Sequence, residues 1–187
     1  MLNILTVPDK RLREISQPIA EIDKKLLDFV EELKDTLKGT TNPPGVGLSG
    51  VQVGKLIRGF VTYLPKKPGL PAKFWNDKTL EMVAYINPEI VSKSRKMTLG
   101  GKRGKPFMEG CLSIPSIYGP VYRHEWVKLK WQNEAGDGQN KKFSGFPARV
   151  IQHEMDHLNG ILFTDYSLKD KLPIYEEKGD ELVEIEL

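Results

Sequence analysis

The chain has 187 residues, a net charge of +3 and 39% apolar residue types, enough for one globular domain around one core. A charge this mild does not by itself argue for nucleic acid, and no apolar run approaches the roughly 20 residues that span a bilayer. The single cysteine excludes an intrachain disulfide and agrees with a reducing cytoplasm. From the start, Met1–Pro8 lacks the apolar centre of a signal peptide, and residues 1–20 read as an extended arm with a turn at Pro8-Asp9-Lys10. Leu26, Val30, Leu33 and Leu37 recur at three-to-four spacing and predict a helix over 23–38, opened by Asp23 and ended by Gly39. Gly45-Val46-Gly47-Leu48-Ser49-Gly50-Val51-Gln52 follows, a glycine-rich stretch that permits close approach of backbone to a ligand. It has no Gly-Lys-Ser/Thr ending, which speaks against phosphate binding.

Residues 55–64 and 80–91 carry the apolar patterning of strands, separated by a turn-rich insertion at Pro65–Pro71. Lys93, Arg95, Lys96, Lys102, Arg103 and Lys105 surround Gly100-Gly101 in a basic loop over 93–105. Such a loop is most simply solvated, and otherwise a contact for anionic RNA or membrane. Glu109-Gly110-Cys111-Leu112-Ser113 comes next, then a strand-like run over 121–132 and a turn at 134–138. A helix is expected at about 146–159, with Pro147 in its first turn and Gly160 at its stop. Ile161-Leu162-Phe163 reads as a return to extended chain. The domain division expected is 1–168 for a catalytic domain and 169–187 for an acidic C-terminal tail or short edge strand. Strands alternating with two separated helices predict an α+β fold, not a doubly wound sheet.

The chemistry is concentrated in Gln152-His153-Glu154-Met155-Asp156-His157. Two of the three histidines stand four apart, so on a helix both imidazoles lie on one face and can meet one metal ion. Glu154 projects at a neighbouring angle and can reach a water without binding the metal. Cys111, which alone would be an ordinary buried residue, completes with His153 and His157 a three-ligand set. Three ligands leave a position open for water or substrate, as catalytic sites do.

With these three stretches together, the sequence resembles the peptide deformylase family. That family carries a glycine-rich motif ending in Gln, a Glu-Gly-Cys-Leu-Ser motif and a Gln-His-Glu-x-x-Asp-His motif in this order. Here they stand as Gly45–Gln52, Glu109–Ser113 and Gln152–His157. This chain departs from the usual pattern at Ser49-Gly50, where two alanines are common, and in its insertions at 65–80 and 92–105. The resemblance implies a compact single α+β domain, with antiparallel or mixed sheets around a C-terminal metal-binding helix. It implies one divalent metal ion on Cys111, His153 and His157: Fe(2+) in cells, with Zn(2+), Ni(2+) or Co(2+) possible after purification. The implied reaction removes the formyl group from the N-terminal formylmethionine of nascent polypeptides in the cytoplasm. Glu154 is the implied general base, and the Gln52 amide and the Leu112 N–H the implied oxyanion donors. Val46, Gly47, Glu109 and Gly110 would frame the methionine pocket and the peptide backbone.

Two other readings compete. A zinc endopeptidase of the His-Glu-x-x-His type needs a third ligand. One class has a histidine where this chain has Phe163; another takes a downstream glutamate such as Glu176 or Glu177, which leaves Cys111 without a role. A metal-stabilised module lacking turnover, docked on ribosomal RNA through residues 93–105, would not need Glu154. No membrane partner is expected.

Overall fold

Asp23 accepts a hydrogen bond from the Leu26 N–H at 2.8 Å and so caps α1 (Lys24–Lys38), as the sequence predicts. Gly39 ends the helix with a right-handed φ of −77°. An added Cβ would lie 2.4 Å from the sulfur of the flexible, exposed Met1 side chain, which can move aside. The protein is described by a computed structural model that covers residues 1–41, 44–67, 69–101, 105–179 and 181–186. Pro68 of the turn-rich insertion, Lys102 and Arg103 of the basic loop and Asp180 of the acidic run lie outside the described residues.

In chain order the strands are β1 (Gly47–Ser49), β2 (Gly59–Pro65), β3 (Leu80–Lys93), β4 (Met97–Thr98), β5 (Met108–Cys111) and β6 (Ile114–Pro120). They continue as β7 (Arg123–His124), β8 (Trp126–Gln132) and β9 (Gly138–Ser144), with β10 (Ile174–Lys178) and β11 (Glu181–Ile185) at the end. Helix α2 spans Gly145–His157 and α3 spans Phe163–Lys169. One antiparallel sheet has the order β1-β2-β3-β8-β9, a second has β11-β10-β6-β5, and β4 pairs only with β7.

Alternation along the strands decides which helix covers which face. Phe60 and Tyr85 face each other in register, stack at 4.6 Å, and join Val127, Leu129 and Phe143 against Ala148, Ile151, Met155 and Leu158 of α2. Their strand neighbours Val61, Ala84 and Ile86 point the other way, onto Leu26, Val30, Leu33 and Leu37 of α1. Strands β2 and β3 are therefore buried on both faces, whereas β8 and β9 leave the face away from α2 exposed at Lys128, Lys130 and Lys142. A third cluster, Ile114, Val121, Leu162 and Phe163, ties β6 to α3.

Three expectations need correction. The chain does not stay extended at 161–163: Leu162 is extended, but Phe163 opens α3, because the Asp165 carboxylate accepts the Leu162 N–H at 3.0 Å. The helices among the described residues thus number three, not two. Residues 93–105 are not loop throughout, since β3 runs to Lys93 and Met97–Thr98 pairs with Arg123–His124. The N-terminal arm also does more than extend. Its backbone bonds Gln52 through Leu5 (2.7 Å), Ser113 through Val7 (2.9 Å) and Leu158 through Ser16 (3.0 Å), so one segment ties all three motif regions together. Gly160 is where the chain passes the arm most closely: at φ +70°, an added Cβ would sit 2.3 Å from the Arg13 carbonyl oxygen.

Candidate active site

Helix α2 carries Arg149, His153 and His157 at intervals of four, hence along one face. Gln152 anchors the helix sideways: its Oε1 accepts from the His124 N–H at 2.9 Å and its Nε2 donates to the His124 carbonyl at 3.0 Å. Cys111 closes β5 at a register shift between Gly110 and Cys111, the kind of irregularity that re-aims a side chain. Its Sγ stands 3.2 Å from His157 Nε2. One ligand atom from each of Cys111, His153 and His157 lies within 4.8 Å of the others, and among the described residues no fourth side chain joins the group.

Whether a metal would fit here is decided by what holds the donors. His153 Nδ1 lies 3.2 Å from Glu109 Oε2, so Nδ1 keeps a proton and Nε2 is the nitrogen that would give its lone pair to a metal. Glu109 is only 5% exposed. It accepts from Arg123 Nε at 3.0 Å, Arg123 Nη2 at 2.8 Å and Arg149 Nη2 at 3.0 Å. Arg123 also pairs with Asp156, whose other oxygen accepts from the Tyr166 hydroxyl at 3.1 Å. Burial disfavours the Glu109 carboxylate, but Arg123 and His153 outweigh it and hold the group ionised, well below the usual carboxylate range. Burial also opposes charge on His153, yet the Cys111 sulfur and Glu109 prevail and raise its pKa well above 6.5 in the metal-free protein. His157 moves the opposite way, pushed well below 6.5 by burial and by His153. A soft thiolate and two imidazoles, one of them fixed from behind by a buried carboxylate, fit a divalent transition metal with an open position.

Glu154 is 3% exposed, and its Oε2 has no hydrogen-bond partner. Burial pushes its pKa up to about 7. It packs directly on the backbone of Gly47, where an added Cβ would lie 2.3 Å from its Oε1. That contact explains why the first motif needs glycine at this point. Gln52, in a turn of 3-10 helix over Gly50–Val53, donates from Nε2 to Ser113 Oγ at 3.2 Å and toward Cys111 Sγ at 3.6 Å.

These groups line a cavity of about 240 Å³ together with Val46, Gly47, Gly110 and Leu112. Glu109 also borders it, but the carboxylate is taken up by Arg123, Arg149 and His153. Phe107, Met108, Phe146 and Val150 give it an apolar wall, bordered by Tyr118 and Arg149. Sequence reasoning missed that wall, and it missed Arg123, Arg149 and the role of Asp156. Arg149 left one usable signal, its position four residues before His153 on the same helix face. Arg123 left none, because it meets Glu109 and Asp156 only through the packing of β7 against α2, where His124 is bonded to Gln152.

A model of the polypeptide deformylase family matches residues 1–172. A peptide deformylase of Rhodopseudomonas palustris (strain TIE-1) is 34% identical over 168 residues, covering 90% of this chain and 86% of its own. The fold is similar to the crystal structure of a probable peptide deformylase from synechococcus phage S-SSM7, with a TM-score of 0.73 and 32% identity over 89% of this chain and 99% of that one. It is also similar to a peptide deformylase from synechococcus elongatus in complex with actinonin, with a TM-score of 0.72 and 32% identity over 88% of this chain and 78% of that one.

Proposed function

Because the chain belongs to the polypeptide deformylase family, we infer that it is a metal-dependent hydrolase that removes the formyl group from the N-terminal formylmethionine of nascent polypeptides and releases formate. The observation that carries this reading is the convergence of Cys111, His153 and His157 beside a buried Glu154. In the proposed division of the chain, residues 1–168 form the catalytic domain and 169–187 an acidic C-terminal tail, within which β10 and β11 extend a sheet.

A metal held by Cys111, His153 and His157 would supply Lewis acidity and hydroxide near neutral pH. Fe(2+) is the ion proposed in cells, and the same donors accept Zn(2+), Ni(2+) or Co(2+). Glu154 accepts the proton of the attacking water and returns it to the leaving amine, with a pKa suited to both tasks. The Gln52 side-chain amide and the Leu112 N–H donate to the oxygen that gains charge, and loss of one such donor costs about 3 kcal/mol. The apolar wall of Phe107, Phe146 and Val150 receives the methionine side chain, while the backbone near Val46, Gly47 and Gly110 flanks the peptide.

The endopeptidase reading finds no third ligand outside Cys111 among the described residues. Phe163 cannot bind metal, and Glu177 on β10 accepts from the Tyr118 hydroxyl at 3.2 Å. The experiment that separates the two readings is formate release from formyl-Met-Ala-Ser by metal-loaded protein, with acetyl-Met-Ala-Ser as control. Formate from the first and no cleavage of either backbone is expected. Internal cleavage without formate would reverse the assignment.

No helix among the described residues is long and apolar enough to cross a membrane, and the cytoplasm is the proposed location, where ribosomes supply the substrate. The role proposed for the basic stretch is contact with ribosomal RNA. Lys96 already pairs with Glu125 at 2.6 Å, so the charge available is less than the sequence count implies. Glutamine at Lys93, Arg95, Lys96, Lys102, Arg103 and Lys105 should leave dipeptide turnover intact and weaken ribosome co-sedimentation at low salt. Unchanged co-sedimentation would make the stretch a solvated loop.

A further inference from the structure

We propose that Ser49 is a positioning residue that locks the side-chain amide of Gln52 in the orientation the reaction uses, an inference that rests on Gln52 being an oxyanion donor. Ser49 closes β1 and Gln52 follows three residues later in the 3-10 turn. Both are essentially fully buried, at 0% and 1% exposure. Gln52 Oε1 accepts two bonds from the one residue: the Ser49 N–H at 2.8 Å and the Ser49 hydroxyl at 2.9 Å. Nε2 then faces Ser113 Oγ at 3.2 Å and Cys111 Sγ at 3.6 Å.

A side-chain amide has two acceptor lone pairs and two N–H donors. Here all four are used, and their arrangement fixes which end faces Cys111. The backbone N–H of residue 49 would remain whatever the side chain, so one lone pair is always met. The second is met only by the hydroxyl, which this chain carries where alanine is common in the family. Without it, a buried lone pair would be stranded and one restraint on amide rotation lost. The hydroxyl also polarises the amide along the chain of bonds from Ser49 through Gln52, strengthening Nε2 as a donor. Cys111 Sγ is a weak acceptor, so that contact is the one most readily exchanged for a developing oxyanion while Oε1 stays anchored.

Gly50 supports the same arrangement. An added Cβ there would lie 2.9 Å from both Ile57 Cγ1 and the Lys55 carbonyl oxygen, and Lys55 N–H donates to the Gly50 carbonyl at 2.9 Å. The backbone just after Ser49 is thus pressed against residues 55–57. Ser49 and Gly50 act together: one gives up its Cβ so that the loop closes, and the other supplies the hydroxyl.

The test is a double-mutant cycle on the metal-loaded enzyme with S49A, Q52A and the double variant. Metal content and thermal midpoint are measured beside kcat and KM for formyl-Met-Ala. S49A should lower kcat about five-fold and leave KM within about two-fold, with one metal per chain. In the Q52A background the same change should alter kcat by less than about 1.5-fold, since there is no amide left to orient. Wild-type kcat in S49A alongside an impaired Q52A would overturn the role of Ser49 and leave that of Gln52 standing. An equal loss in both backgrounds would reduce Ser49 to packing and overturn the proposal as well. Wild-type kcat in Q52A would remove the Gln52 assignment and this inference with it.

Discussion

Glu154→Gln is expected to keep its fold and its metal and to lose roughly a thousand-fold in formate release, with little change in KM. Glutamine has the size of glutamate and would lie on Gly47 in the same way. It can donate and accept hydrogen bonds, but it cannot take a proton from water. The site is built around that one difference. Glu154 sits 3% exposed beside Cys111, His153 and His157, and its Oε2 is buried with no hydrogen-bond partner among the described residues. Burial raises its pKa to about 7, and a cation in the adjacent site would draw that value down. Only the carboxylate accepts a proton, so kcat/KM of the wild type should fall as pH drops through the Glu154 pKa and hold level above it. The glutamine variant should lack that limb in whatever activity survives. Wild-type turnover in Glu154→Gln would mean that the base lies elsewhere.

Cys111→Ala is the second large effect, and it acts on metal content. In the proposed site three protein donors hold the ion, and removing the thiolate would take away the one anionic ligand among them. Metal per chain after desalting should fall well below one equivalent, and activity should fall with it. His153→Ala and His157→Ala should behave alike, whereas Glu154→Gln should not. The comparison separates the residues that hold the ion from the residue that works beside it. Full occupancy in Cys111→Ala would show that the sulfur is no ligand.

How much of this was legible beforehand follows from the range of each interaction. The i, i+4 spacing of His153 and His157 is local to one helix, so the sequence carries it outright. The capping of α1 by Asp23 is equally local. Cys111 stands 42 positions before His153 in the numbering, and no periodicity links them. It could be paired with them only because it is the sole cysteine in the chain. Glu109 was assigned to the substrate side by its nearness to Cys111. The alternation of β5 and the register shift after Gly110 turn its carboxylate to the back of His153 instead. Arg123 and Asp156 meet there because β7 lies across α2, a tertiary fact that no local pattern encodes. Helix α3 was missed for a simpler reason. Ile161-Leu162-Phe163 is apolar enough for a strand, and the deciding contact is Asp165 reaching back to one backbone N–H.

The central claim is that one ion, held by Cys111, His153 and His157, makes this chain a deformylase. Metal-free protein titrated anaerobically with Ni(2+), with formate release from formyl-Met-Ala followed at each addition, tests it most directly. Activity should rise from zero in proportion to added metal and break sharply at one equivalent per chain. Formate release at full rate without metal, or none with one equivalent bound, would contradict it.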